Sequence, residues 1–472
     1  MESTLQMLKQ LFQLKNTPNA SLWQQHKKTF LLLSLIGSVQ ACGGGGGDSS
    51  ATTPPIPKSY AFSLTSTLTN KCGEKLPFVD VELFIQDSTW AVVEKLQPDA
   101  NGVFSFSSDN EFINYTIAAK TQQTGKAEGL DFVSFHQAKA TTAAIYQAQH
   151  TEQIDNSNCE CVTKNVEVTH APISNISKVT SSANFTETEI LNSQSTHFNN
   201  VEACRIVDGS WPIHSFSIVG IGNNSNVLGA AGFIEDFSQI AVNSNNEEVW
   251  VLAAFDGVEE VSLNNDHQAF TTLQSFLGLE HFNINVAEGD NSVDLFNSHV
   301  YVSETEYQSN AEVVFTEVDS AFGSIKISSQ HQVISSVSST SFAVEAPDKK
   351  PNVDDVFFSE IESDWSYDYS DVSDYPMAII AVNYQAFEPI ANTPMPVTWK
   401  SYGEITGQLP VTTALEGYGD IINDDTLILG TNTILIQSQN TNNYADYLLY
   451  YQNASKSTFA NDIKSYHISI EK

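Results

Sequence analysis

Arginine is almost missing from this chain: Arg205 is the only one in 472 residues. Lysine and arginine together number 21 against 56 aspartates and glutamates, which leaves a formal net charge of −35. Nucleic-acid binding draws its affinity from cations that neutralise phosphates, and no basic stripe or patch of that kind occurs, so nucleic acid is excluded as a partner. An anionic substrate gripped by a guanidinium fork is disfavoured on the same ground. Helical spacing is scarce and no fixed-period repeat is found. No two histidines stand at His-x-x-x-His spacing, and no serine sits in a Gly-x-Ser-x-Gly elbow. Metal-dependent hydrolysis therefore lacks local support. A Ser/His/Asp site is assembled in space, so spacing alone does not speak against it. What the chain has in quantity is core-forming material, 41% hydrophobic and 10% aromatic, unlike the composition of a disordered tail. Its acidity suits a protein that attracts divalent cations and is repelled by anionic surfaces.

Lys27-Lys28 precede an apolar run, Phe30 to Val39, that ends in Val39-Gln40-Ala41-Cys42 and gives way to Gly43-Gly44-Gly45-Gly46-Gly47-Asp48-Ser49-Ser50. The run falls well short of the ~20 residues that carry a helix across a bilayer and fits the apolar region of a cleavable signal. A basic start, a short greasy core, a small residue before a cysteine and a loose tether together resemble a bacterial lipoprotein signal with its lipobox. The resemblance implies cleavage before Cys42 and a lipid on Cys42 that anchors the mature chain to a membrane. With Gly43 rather than Asp next, it implies placement at the outer membrane. The competing readings are an ordinary secretory signal and a buried helix. Residues 1–41 are thus expected to be leader. Residues 42–59 are expected to be a linker, flexible at first and stiffer at Pro54-Pro55-Ile56-Pro57. The stretch from Met1 to His26 is long for such a leader, and a start further in, with Met7 one candidate, accounts for it.

Four cysteines remain: Cys72, Cys159, Cys161 and Cys204. An even number in an exported chain predicts two disulfides. Cys159 and Cys161 are expected to bond elsewhere than to each other, Cys72 taking one and Cys204 the other. A metal or redox Cys-x-Cys site is the rival reading, and no second ligand pair stands at metal spacing.

From Tyr60 the pattern has period two. Tyr60, Phe62 and Leu64 alternate with polar residues, as do Val79, Val81, Leu83 and Ile85, and then Tyr115, Ile117 and Ala119. Such alternation predicts half-buried strands, and Asn101-Gly102 predicts a hairpin turn. The succession Gly73-x-x-Leu76-Pro77, Val79-x-Val81, Asp99-x-Asn101-Gly102-x-Phe104-x-Phe106 and Tyr115-x-Ile117 resembles the carboxypeptidase-regulatory-like (transthyretin-like, Cna-B-like) β-sandwich over about residues 60–160. Members of that group are spacer or binding modules, so the resemblance brings no catalytic residues with it. A helical leaning over Phe135 to Gln149 departs from the pattern. Further strands are expected at Ile213 to Ile221, Val227 to Phe233, Glu248 to Phe255, Phe282 to Val286, His299 to Val302, Glu312 to Val318, Ser324 to Ile327 and Val333 to Val337. A short helix is expected at Phe270 to Leu279. After Pro347-Asp348-Lys349-Lys350-Pro351 come strands at Met377 to Val382, Val397 to Tyr402, Thr426 to Leu429, Thr433 to Ser438, Tyr447 to Tyr451 and Ser465 to Ile470. The expected fold class is all-β, with two or three β-sandwich domains in tandem. The domains are drawn at 60–165, 166–347 and 348–472. An outer-membrane barrel is disfavoured, since aromatic girdles are lacking and the chain ends in Glu471-Lys472.

The densest chemistry is the acidic stretch Asp354, Asp355, Glu360, Glu362, Asp364, Asp368, Asp371 and Asp374, interleaved with Trp365, Tyr367, Tyr369 and Tyr375. Hard carboxylate oxygens at Asp354, Asp355, Glu360, Glu362, Asp364 and Asp368 suit Ca²⁺. Carboxylates beside aromatics suit sugars, and a solvated acidic loop is the plain alternative. Tyr418-Gly419-Asp420 with Asn423-Asp424-Asp425 is a second oxygen-rich turn, without EF-hand spacing. The sequence supports a lipid-anchored envelope protein with a binding or structural role and no identifiable catalytic site, with calcium as the one candidate cofactor. Its partners would be the membrane, through Cys42, and a glycan or envelope-protein ligand. The alternatives are an envelope hydrolase acting on glycan or peptide, and a calcium-stabilised adhesin-like surface protein.

Overall fold

The computed structural model describes residues 58–122, 125–150, 154–170, 172–173, 175–221, 227–238, 241–242, 248–253, 255–256, 258–262, 271–277, 280–286, 292–296, 306–320, 323–336, 346–351, 359–361, 364–390, 392–410, 415–423, 426–439, 443–453 and 461–471. Side chains at 221, 227–228, 241–309, 320, 335–336, 359–361, 364 and 453 are outside the description. The chain divides into two compact units, 1–56 and 57–472, and every described residue belongs to the second. Cys42, the glycine tether, Asp354, Asp355, Glu362 and the strand expected at His299 to Val302 therefore lie outside the described residues.

The fold is all-β with several sheets. The first strands are β1 (Tyr60–Thr69), β2 (Lys75–Pro77), β3 (Val81–Gln86), β4 (Val92–Leu96), β5 (Val103–Ser108), β6 (Phe112–Thr121), β7 (Gly129–Lys139) and β8 (Ala143–Gln147). Along β1 the period-two pattern buries Phe62, Leu64, Ser66 and Leu68, as a half-buried strand requires. β1 carries β5 and then β2 along one side, and β8 on the other. A second layer, ordered β7-β6-β3-β4, faces it. Phe62, Leu64 and Phe104 from one layer meet Leu83, Tyr115, Ile117 and Phe135 from the other, so residues 60–147 make a β-sandwich core.

Two expectations change here. Phe135 to Gln149, read as leaning helical, is the end of β7 and all of β8. Its alanines, Ala138, Ala140, Ala144 and Ala148, are buried at strand spacing, where small side chains let the layers close. The Asn101-Gly102 turn forms, with Gly102 at φ +74° and its N–H donating to the Asp99 carbonyl at 3.0 Å. It does not make a hairpin, because β4 pairs with β3 and β5 pairs with β1. The turn arches from one layer to the other.

Next come β9 (Cys159–Thr169), β10 (Asn175–Ser181), β11 (Glu187–Asn192), β12 (Ser195–Ile206), β13 (His214–Ile221), β14 (Val227–Ile234), β15 (Ala241–Val242), β16 (Glu248–Ala253) and β17 (Phe255–Asp256). They form two sheets, β11-β12-β9-β16-β15 and β10-β13-β14-β17. Val166, Val168, Phe198 and Val201 from the first sheet pack with Phe216, Ile218 and Ala230 from the second, which makes a second sandwich core.

The chain continues with β18 (Val258–Ser262), β19 (Thr271–Leu277), β20 (Glu280–Val286), β21 (Ser292–Phe296), β22 (Glu306–Ser320) and β23 (Gly323–Ser336). The short helix expected at Phe270 to Leu279 is thus strand β19, held between β20 and β22. Last come β24 (Ser359–Ile361), β25 (Asp364–Asp368), β26 (Met377–Phe387), β27 (Pro394–Gly403), β28 (Thr406–Gln408), β29 (Leu427–Ser438), the helix α1 (Tyr444–Asn453) and β30 (Asp462–Glu471). Tyr447 to Tyr451, read as strand, lies in α1. The apolar residues Tyr444, Tyr447, Leu448 and Tyr451 all pack on the first core, and their spacing of three, four and seven is that of a helix face.

One open sheet gathers strands from all three expected domains, in the order β20-β19-β22-β23-β30-β29-β26-β27-β7-β6-β3-β4. The partition at 60–165, 166–347 and 348–472 followed the chain, whereas strand pairing crosses those lines. The join is parallel, β27 against β7, from Val397↔Leu130 to Tyr402↔Phe135. Across it runs a chain of buried polar groups. Trp399 Nε1 donates to Ser134 Oγ at 2.8 Å, the Ser134 and Thr116 hydroxyls meet at 2.7 Å, and Thr116 donates to Gln86 Oε1 at 2.6 Å. Gln86 Nε2 donates in turn to the Trp90 carbonyl at 3.1 Å. A chain satisfied at each link fixes the register of β27, β7, β6 and β3.

Candidate functional site

The cysteines pair as Cys72–Cys159 and Cys161–Cys204. Cys161 stands directly opposite Cys204 on β9 and β12, and Cys72 reaches from the β1–β2 turn. One triplet of candidate metal-ligating groups comes within 4.8 Å among the described residues, Cys161, Glu202 and Cys204. Two of its three atoms are sulfurs already joined to each other, so it offers no thiolate. The lone Arg205 is spent close by. It bonds Glu160 through Nε at 2.8 Å and Nη2 at 2.7 Å, and its guanidinium lies 4.6 Å from the Trp211 ring centre.

Of the acidic stretch, Glu360, Asp364 and Asp368 lie on β24 and β25 of the small sheet β24-β25-β28, and Asp371 and Asp374 follow it. Glu360 lies opposite Trp365, and Asp364 opposite Ile361. Asp368 is exposed and accepts the Ser370 N–H at 2.8 Å. The Ser370 side chain first, then its backbone, holds the Asp368 carboxyl below its usual range.

Among the described residues, serine meets histidine at two places. Ser465 Oγ and His467 Nε2 are 2.8 Å apart, two residues apart on β30. Ser182 Oγ and His214 Nδ1 are 3.2 Å apart, in a cleft of about 260 Å³ that Lys71, Cys72, Asn184 and Glu202 also line. Ser182 Oγ accepts the Ser215 N–H at 3.0 Å, so it closes the β10–β13 ladder. His214 Nε2 is buried with no hydrogen-bond partner. Nucleophilic catalysis needs a base oriented by a third group, and His214 has none among the described residues.

A larger cleft of about 460 Å³ opens at one end of the first sandwich, within the usual size of a ligand site, ~300–1,000 Å³. Its wall comes from the end of β3 and the following turn (Ile85 to Ser88), from Val93 and Phe106, from the β5–β6 turn (Ser108, Asn110, Glu111), from Phe112 to Asn114, and from Gln137. Two non-glycine residues in left-handed backbone shape it, Trp90 at φ 64° and Gln137 at φ 52°. For a residue as bulky as tryptophan this is an outlier, costing roughly 1–3 kcal/mol unless the surroundings enforce it.

Here they do. The Trp90 side chain is 3% exposed, its Nε1 donates to the Gln408 carbonyl at 2.9 Å, and its carbonyl accepts from Gln86. Asn114 ties β7 to the β3–β4 turn, accepting the Gln137 N–H at 2.8 Å and donating to the Asp87 carbonyl at 2.9 Å. Asp87 Oδ1 caps the β3–β4 turn by accepting from Thr89 N, Thr89 Oγ1 and Ala91 N. The Thr89 hydroxyl, then its N–H, keeps the Asp87 carboxyl below the ordinary value and hence ionised. Over this rigid floor Val93 and Phe112 stay 65% and 45% exposed. Sequence reasoning missed the cleft, because its wall comes from four separate segments and Ser88-Thr89-Trp90 carries no mark of positive φ. The one available signal was Phe112, an aromatic two residues after the turn residues Asp109-Asn110.

Asp131 is a partly buried titratable group next to the β7–β27 join. Tyr146 donates to its Oδ2 at 3.1 Å. Burial pushes its carboxyl up, more strongly than the Tyr146 bond and the nearby Lys400 pull it down. A carboxyl raised in the folded state contributes stability fully below its ordinary value, and that contribution falls away as pH climbs to the raised value. Asp131→Asn keeps an acceptor for Tyr146 and removes the charge. The variant should therefore gain on the wild type between about pH 4 and pH 7, as read from urea midpoints at both. An equal gap at the two pH values would contradict this.

No family model matches the chain, and no curated protein matches it. Among solved structures it is similar to two B repeat units of the collagen-binding protein of Staphylococcus aureus, at 9% identity and a TM-score of 0.13, covering 74% of this chain and 89% of that one. It is also similar to the major pilin subunit of Bacillus cereus, at 10% identity and a TM-score of 0.12, covering 63% and 97%. The pilus adhesin SpaC of Lactobacillus rhamnosus GG gives 9% identity and a TM-score of 0.12, covering 73% and 44%. Likenesses of this size carry no argument about function.

Proposed function

We propose that the mature protein begins at Cys42, is held to the outer membrane by lipid on that residue, and serves the cell envelope as a binding protein. The motif Val39-Gln40-Ala41-Cys42, followed at once by five glycines, carries the proposal. Two further facts support it. All four remaining cysteines are in disulfides, the state that oxidising compartments maintain. The sole arginine is paired with Glu160 and stacked on Trp211, so it offers no free guanidinium fork to an anion. The first sandwich, with its resemblance to regulatory-like modules, supplies a preformed cleft, which suits a binding role. Cys42→Ala should move the protein from the membrane fraction to the soluble fraction of the envelope while leaving its melting temperature unchanged. Retention of the variant on membranes would sink the anchoring proposal.

A further inference from the structure

We propose that the cleft at the end of the first sandwich binds an uncharged saccharide. The inference rests on the reading of this chain as an envelope binding protein and names the ligand class. Three observations carry it.

The first is the pairing of an exposed aromatic with hydroxyl-matching groups. Phe112 offers a ring that is 45% exposed beside the partly buried Phe106. Around them stand Ser88, Ser108, Asn110, Glu111 and Gln137. Serine hydroxyls, side-chain amides and a carboxylate supply both donors and acceptors, the complement of a sugar's hydroxyl groups, while an aromatic face suits the apolar C–H face of a pyranose ring.

The second is charge. The ionisable residues on the wall are Asp87 and Glu111, and the neighbouring cation, Lys139 opposite Phe112, is paired with Glu111 at 3.8 Å, so the wall disfavours a phosphate, a uronic acid or a nucleotide. A chain of net charge −35 repels such ligands from a distance as well.

The third is preorganisation. Gln86, Asn114 and Asp87 are consumed in fixing the wall, and the left-handed backbone at Trp90 and Gln137 is held by buried partners. A wall already ordered loses little entropy when a ligand arrives, and strain kept at a cleft is a mark of function. An extended peptide is the other candidate, since β4 and β5 each end a sheet. Those edges are only five and six residues long, and short edges are poor templates for strand addition.

The test uses the full chain with Cys42→Ala, so that binding is read apart from the lipid. It is titrated by calorimetry against a panel of neutral oligosaccharides of hexoses and N-acetylhexosamines, the matching uronic-acid oligosaccharides, and a panel of extended peptides. At least one neutral saccharide should bind, and its uronic-acid counterpart should bind far less. Phe112→Ala should weaken binding about tenfold or more with the melting temperature held, while Ile190→Ala, on exposed β11, should leave affinity unchanged. Binding of peptides alone, preference for the acidic sugars, no binding by any neutral saccharide, or indifference to Phe112→Ala would each overturn the inference. None of these results bears on membrane attachment through Cys42, which fails or stands on its own fractionation.

Discussion

Trp399→Ala should lower the unfolding free energy of the 57–472 unit by about 3–5 kcal/mol. Trp399 is 2% exposed, stacks on Phe132 with ring centres 4.8 Å apart, and donates its Nε1 to Ser134. Truncation leaves a large cavity and deprives the buried Ser134 hydroxyl of its Trp399 partner, and both defects cost stability. The effect should also travel. Trp399 lies on β27, from the last part of the chain, whereas Ser134 and Thr116 lie on β7 and β6, from the first. Amide exchange in β3 and β6 should therefore speed up along with exchange in β26 and β27. Independent tandem domains would confine the change to residues after 348, and that result would contradict a shared sheet.

Removing the Cys72–Cys159 disulfide, as Cys72→Ala with Cys159→Ala, should cost about 4–5 kcal/mol. The bond spans 87 residues of sequence, and the chain-entropy account of cross-links gives ~4.6 kcal/mol for a loop of that length. It also fastens the β1–β2 turn of the first sandwich to β9 of the second. Cys161–Cys204 spans 43 residues and joins strands that already pair over most of their length. Its loss should cost less, at most ~4 kcal/mol. Guanidinium denaturation of the two double variants gives the order, and the reverse order would show that the link between the sandwiches contributes little.

Much of this fold was legible because it is written locally. Phe62, Leu64 and Leu68 alternate in sequence and alternate in burial. Pairing between distant strands leaves no such mark. Nothing in Val397 to Tyr402 announces that its neighbour is Leu130 to Phe135, so domain lines drawn along the chain missed the long sheet. Where two periods compete, local reading fails in a physical way. Ala138, Ala140 and Ala144 suit a helix by propensity, yet are used for their small size between layers. Tyr444, Tyr447, Leu448 and Tyr451 held a helical stripe that the tyrosine-rich composition disguised as strand. The cleft was least legible. Its groups become neighbours only after β3, β5, β6 and β7 have found their places, and the strained backbone at Trp90 is imposed by Gln86 and Gln408 rather than by its own sequence.

The most direct test of the account is the mass of the N-terminal peptide of the protein extracted from its native membranes. The account predicts that this peptide starts at Cys42 and carries fatty acyl mass on that residue, and that the acyl signal vanishes in Cys42→Ala. A mature chain starting elsewhere, or starting at Cys42 without lipid, would contradict it.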